Sequence, residues 1–190
     1  MNLKKFLFSL LIISVSLSVS GCIKINSGSS SKKVDGGIYK SLNRGEAFAQ
    51  KGLIPTITGK PASIASLDAD VLALDPSDNK ALYYGSTANG LYYSYDGGES
   101  WLFSSSLGKL PIAGIAIDPK DKCEIFVASG NKVYKSEDCT RTWSQTYFHN
   151  DIKVGVSAIA IDHYNSDIVY IGSSKGELLK SADEGKTWQG

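Results

Sequence analysis

A serine, an aspartate two positions later and a tryptophan five positions after that recur in "SYDGGESW" (94–101), "SEDCTRTW" (136–143) and "SADEGKTW" (181–188). A carboxylate flanked by hydroxyls could act as a general acid or base, or join an oxygen cage for a hard cation. The acid pairs of "DPSD" (75–78) and "DPKD" (118–121) raise the same question. So do two histidines, His149 and His163, two arginines, Arg44 and Arg141, and three cysteines, Cys22, Cys123 and Cys139. Chemistry needs one preorganised constellation. Three equivalent aspartates at regular spacing do not converge on one substrate, so their repetition points to structure. The acid pairs fit type I turns, in which Pro presets φ and Asp caps the turn. They lack the dense ligand ladder of a calcium loop, and no metal site is expected.

The segments that carry these residues repeat too. "DVLALDPSDNKALYYGSTANGLYYSYDGGESW" (70–101), "IAGIAIDPKDKCEIFVASGNKVYKSEDCTRTW" (112–143) and "SAIAIDHYNSDIVYIGSSKGELLKSADEGKTW" (157–188) align, with their tryptophans 42 and 45 residues apart. A worn copy, "GGIYKSLNRGEAF" (36–48), has Asn43 for the aspartate and Phe48 for the tryptophan. "ALYYGS", "EIFVAS" and "DIVYIG" are short, aromatic and β-branched, and read as strands. Nothing after residue 22 carries a helical period. Each unit predicts four antiparallel strands, A to D, with D starting at the tryptophan. The fold class is therefore all-β, a β-propeller of four-stranded blades. Residues 36–50 supply strands C and D, 71–107 and 113–149 two full blades, and 157–190 strands A to C with D begun at Trp188. That is about three and a half blades, against the ~4–8 of propellers. The expectation is a longer native chain with further repeats, or completion by self-association.

The boxed residues are Ser94, Asp96, Gly98 and Trp101; Ser136, Asp138 and Trp143; and Ser181, Asp183, Gly185 and Trp188. Their pattern resembles the Asp-box of the BNR-repeat families, which include bacterial sialidases, sortilin-type propellers and photosystem II assembly-factor-like propellers. The resemblance covers 36–190 and implies a C–D hairpin at the outer edge of each blade. Its Ser and Asp oxygens would bond the turn's own N–H groups. Gly98 and Gly185 would supply positive φ, and the tryptophans would lie between sheets. A sialidase would also need an arginine triad. The chain has two arginines, one of them inside a box, so the triad cannot be assembled here. No catalytic residue and no cofactor is expected.

The second box has Thr140 where glycine is expected, preceded by Cys139. Strands B and C of that blade reverse at "SGNK" (129–132), which brings Cys123 nearly opposite Cys139 across the hairpin base. In an exported chain this predicts a Cys123–Cys139 disulfide.

The N-terminus is a targeting segment. "MNLKK" is a positive region, and "FLFSLLIISVSLSVS" (6–20) is apolar but short for a permanent span. It ends in "VSGC" (19–22), which resembles a bacterial lipobox and implies lipidation of Cys22. The division is a lipoprotein signal peptide over 1–21, a flexible tether over 22–35 rich in Ser, Gly and Lys, and repeats over 36–190. Beyond residue 35 there are 15 basic and 18 acidic residues, which excludes the basic stripe of a nucleic-acid binder.

The sequence therefore predicts an extracytoplasmic, lipid-anchored protein of the bacterial cell envelope. It would be a non-enzymatic propeller scaffold for a protein or glycan partner. The alternative is a fragment of a sialidase-like glycoside hydrolase whose catalytic residues lie outside this chain. Propeller geometry places the D–A loops (49–70, 104–111 and 146–156) and the B–C loops on one rim. There Tyr147, Phe148 and His149 form the richest cluster for a partner, unless both aromatics continue strand D into the core. His163 falls in an A–B turn on the other rim.

Overall fold

The computed structural model describes residues 36–190; the leader and tether, with Cys22, lie outside them. The described residues are all-β and every named strand pairs antiparallel, as the short aromatic and β-branched runs predict. A half-sheet comes first, β1 (Tyr39–Lys40) paired with β2 (Ala49–Gln50), followed by a small hairpin of β3 (Leu53–Ile54) and β4 (Ala62–Ser63). The first large sheet contains β5 (Ala69–Leu74), β6 (Leu82–Ser86), β7 (Gly90–Ser94) and β8 (Leu102–Phe103) in sequential order. The middle sheet repeats it with β9 (Gly114–Ile117), β10 (Ile125–Ser129), β11 (Lys132–Ser136) and β12 (Ser144–Phe148). The last sheet holds β13 (Val156–Ile161), β14 (Val169–Ser173) and β15 (Leu178–Ser181), with a fourth strand begun where Lys180 pairs with Gln189. Strand order and the incomplete first and last sheets match expectation.

Side-chain alternation explains why each sheet needs a neighbour. Ile125 and Val127 of β10 face back to the first large sheet, packing with Tyr83 and Leu91. Phe126 and Ala128, one residue out of phase, face forward to Val169 and Ile171 of the last sheet. Burial on both faces explains why "IFVAS" reads as unbroken apolar sequence rather than alternating. Tyr84, Tyr92 and Trp101 face back in the same way, onto Ile38, Ile54 and Ile64. These three inter-sheet cores are the apolar interior of the described residues.

One expectation needs amendment. Residues 49–70 read as a single D–A loop, yet they contain the β3–β4 hairpin. Its strands are too short to show a period. Packing holds them: Ile54 and Ile64 lie against the Trp101 cluster, and the Trp101 amide donates to the Leu53 carbonyl at 2.8 Å.

Candidate functional site

The boxed turns form where C strands end in serine. Ser181 Oγ donates to Asp183 Oδ1 at 2.7 Å and accepts the Gly185 amide at 2.8 Å. Asp183 accepts the Thr187 amide at 2.8 Å through Oδ1 and the Thr187 hydroxyl at 2.6 Å through Oδ2. Ser94–Asp96–Ser100 and Ser136–Asp138–Thr142 repeat the same pattern. The worn copy keeps the bonds to Ser41 and to Asn43 Oδ1. It has lost the last one on both sides, because Asn43 lacks the second oxygen and Ala47 the hydroxyl.

These bonds set the acidities. The Thr187 hydroxyl and amide, with Ser181, hold the Asp183 carboxyl down at about 2. At Asp96 partial burial pushes upward, but the Ser100 and Ser94 bonds outweigh it and bring it to about 2. A carboxylate so fixed in its ionised form cannot exchange protons near neutrality. Gly98 and Gly185 stand at φ 85° and 82°. Each tryptophan packs back on the preceding sheet, with Trp101 fully buried and Trp143 and Trp188 partly so. The boxes therefore act as brackets between sheets.

The middle box differs as the sequence indicated. Thr140 sits at φ 71°, in the left-handed region that β-branched residues avoid, and is buried. The Cys123–Cys139 disulfide closes the base of this hairpin, with the Cys139 amide on the Cys123 carbonyl at 3.2 Å. The Thr140 carbonyl accepts Ser106 Oγ at 3.0 Å from the preceding sheet.

Between the middle and last sheets, Lys135 is buried among Glu124 at 3.0 Å, Glu137 at 2.9 Å and Glu184 at 3.5 Å. Burial alone would lower the ammonium's pKa, but the Glu137 and Glu124 bonds raise it on balance. Burial pushes Glu124 up, while the Lys135 charge holds Glu184 down. The carboxylate oxygens lie within 4.8 Å of one another, close enough for a cation, but the lysine already provides one. This cluster is a salt-bridged clasp. The sequence reading missed it, although aligned repeats carry the signal: lysine precedes the boxed serine at 40, 135 and 180.

The opposite end of the same junction is open. Strand β12 ends beside a cavity of about 400 Å³ lined by Tyr147, His149, Glu177, Leu178, Leu179 and Gly190. His149 Nδ1 accepts the Asp151 amide at 3.0 Å and lies 3.2 Å from the Asp151 carbonyl, so the Asp151 backbone fixes the ring's orientation. Nε2 lies 3.5 Å from Glu177 Oε2, and that oxygen also accepts Ser173 Oγ at 2.8 Å. The His149 backbone is held by reciprocal bonds with Asn131 in the β10–β11 turn. D–A and B–C segments thus meet on one rim. Tyr147 serves two roles, lining the cavity and packing edge-on against Trp188 at 5.7 Å. Phe148 is 55% exposed and lies outside the lining. His163 packs edge-on against Tyr164 in a separate turn. Glu177 came from a B–C turn that carried no repeated signal. Aromatic ring, imidazole and carboxylate on an apolar floor suit a hydroxyl-rich neutral ligand.

No family model matches the chain. It is 29% identical over 164 residues to the xyloglucanase Xgh74A of Acetivibrio thermocellus, covering 81% of this chain and 16% of that protein. The chain thus spans about a sixth of the length of the curated relative it matches. Among solved structures, an ancestral GH74 enzyme superposes with a TM-score of 0.66 at 23% identity, covering 82% of this chain and 21% of that one. The GH74 xyloglucanase of Xanthomonas campestris gives 0.62 at 18%, covering 82% and 27%. The antiparallel four-stranded sheets and these neighbours make the chain part of a β-propeller. The expectation of a protein that is not an enzyme is corrected by the same finding, because the relatives it matches are enzymes. The physical reason is distribution. Glycoside hydrolysis needs two facing carboxylates, and a propeller gathers its site from loops of different blades. A stretch this short can belong to such an enzyme and carry neither.

Proposed function

We propose that this chain is a propeller portion of a xyloglucan-acting glycoside hydrolase, and that the Tyr147–His149–Glu177 cavity contacts the glucan chain. The hydrolytic carboxylates lie outside these residues. The observation that carries the reading is the 29% identity over 164 residues to Xgh74A. The cavity supports it, since its polar groups suit sugar hydroxyls and Tyr147 supplies an aromatic ring to its lining. A lipid on Cys22 would hold the propeller at the outer side of a bacterial membrane, where a polysaccharide is met. Affinity electrophoresis tests the reading. The 190-residue chain in detergent should be retarded in gels containing xyloglucan and run freely in gels containing mannan. Equal mobility in both would overturn the glycan assignment. The anchor is tested separately: Cys22→Ser should leave the protein unprocessed or release it from membranes.

A further inference from the structure

Two junctions between sheets are closed by a lysine. Lys40, the residue before the boxed Ser41, reaches the Gly97 carbonyl at 2.8 Å and Glu99 at 3.4 Å in the next box. Lys135, before Ser136, reaches Glu184 in the next box at 3.5 Å. The junction between the first large sheet and the middle sheet changes both partners. Tyr93 precedes the boxed Ser94, and Arg141 holds the box position of Glu99. Both of these sheets have all four strands.

In place of an ion-paired clasp, this junction has a cavity of about 270 Å³ lined by Asp78, Tyr93, Tyr95, Lys122, Cys139 and Arg141. Asp78 and Lys122 come from A–B turns, on the rim opposite to that of His149. The Cys123–Cys139 disulfide ties down one wall, and the Tyr93 and Tyr95 rings, 5.3 Å apart, form another. Lys122 lies 3.6 Å from Asp78. The Arg141 guanidinium is exposed and forms no hydrogen bond or ion pair with any described residue. It does stand near Tyr95: burial raises the Tyr95 hydroxyl's pKa on balance, while the Tyr83 hydroxyl and the Arg141 charge pull it down. Tyr83 Oη and Asp75 Oδ2, both electrostatic neighbours of Tyr95, are buried without a hydrogen-bond partner, where most buried polar groups have one.

We infer that this cavity binds a hexuronate, a sugar ring that carries one carboxylate. The carboxylate pairs with Arg141 and takes the place of the acid that closes the flanking junctions. A planar guanidinium can hold it through two parallel bonds. Asp78 calls for hydroxyl donors, which a sugar carries and a phosphate would replace with further negative charge. The tyrosines offer aromatic surface to the ring. The volume falls at the small end of ligand pockets, enough for one ring and not for a chain. The inference uses other residues and the other rim than the Tyr147–His149–Glu177 cavity, and does not rest on the glycan reading made there.

The test is nuclear magnetic resonance titration of the 190-residue chain in detergent with glucuronate, with glucose and acetate as its two halves. Glucuronate should bind more tightly than either. Arg141→Gln should weaken it roughly tenfold or more through loss of the charge-assisted bonds, and Arg141→Lys should fall between, keeping the charge without the fork. Arg141 is exposed, so near-ultraviolet circular dichroism should be unchanged, which separates lost binding from lost folding. No binding of glucuronate would overturn the inference. So would binding indifferent to Arg141→Gln, or glucose or acetate bound as tightly as glucuronate.

Discussion

The junction between the middle and last sheets ends in two acidic regions of opposite character. At the outer edge, the turn from Ser181 to Trp188 uses its carboxylate completely, since both oxygens of Asp183 are bonded within the same eight residues. At the rim, Glu177 spends one oxygen on Ser173 and faces the His149 imidazole across an open cavity. The two regions contain similar residue types. What separates them is where the hydrogen bonds go. A polar group satisfied by its own turn supplies rigidity, and a polar group turned to a cavity can supply recognition. Repetition marks the first kind because every junction needs a bracket. The second kind occurs once and leaves no periodic trace.

The largest expected effect breaks the bracket side. Trp101→Ala removes a fully buried ring and the bond from its Nε1 to the Lys51 carbonyl at 2.8 Å. Large-to-small core changes of this kind cost about 3–5 kcal/mol, and a denaturant melt should show that loss. Glu177→Gln, in the open region, should leave the same melt unchanged.

This asymmetry also accounts for what could be read from sequence. The strand order, the boxed hairpins, the incomplete first and last sheets and the Cys123–Cys139 bridge all follow from local pattern, because each depends on neighbours within one repeat. The β3–β4 hairpin did not, since Ile54 and Ile64 are held by Trp101, which lies 47 and 37 residues further along the chain. The cavity was half visible. Tyr147 and His149 stood out by composition, while Glu177 joins them only when the next blade is stacked alongside. The similarity to glycoside hydrolases was legible only as the alternative of a hydrolase fragment, as no facing carboxylate pair is encoded in a single repeat.

A second, smaller loss is expected at the middle box, where the left-handed Thr140 is tied down by the disulfide. Replacing both Cys123 and Cys139 with Ser should cost about 3 kcal/mol by the loop-entropy argument. Adding Thr140→Gly should recover part of that loss in the same melts. If recovery is absent, the disulfide is not compensating for the missing glycine.

The mildest probe of the brackets is acid. Asp96 and Asp183 titrate at about 2 in the folded protein, below the ordinary carboxylate value of 3.8. Between those values the unfolded chain binds more protons, so folding stability falls as pH falls. The contribution is fully present above the unfolded value and lost on passing through the folded one. Thermal midpoints should therefore drop between about pH 4 and pH 2, and Asp96→Asn should flatten that drop. A drop unchanged in the variant would place the acid sensitivity elsewhere.

The central claim is that recognition resides in the open cavity and not in the repeated carboxylates. Calorimetric titration of the 190-residue chain with a xyloglucan oligosaccharide tests it most directly. Binding should be seen with the unaltered chain, weaken roughly tenfold in His149→Ala or Glu177→Gln through loss of a charge-assisted bond, and persist in Asp138→Asn. Binding that survives both cavity substitutions, or that is lost with Asp138, would contradict the account.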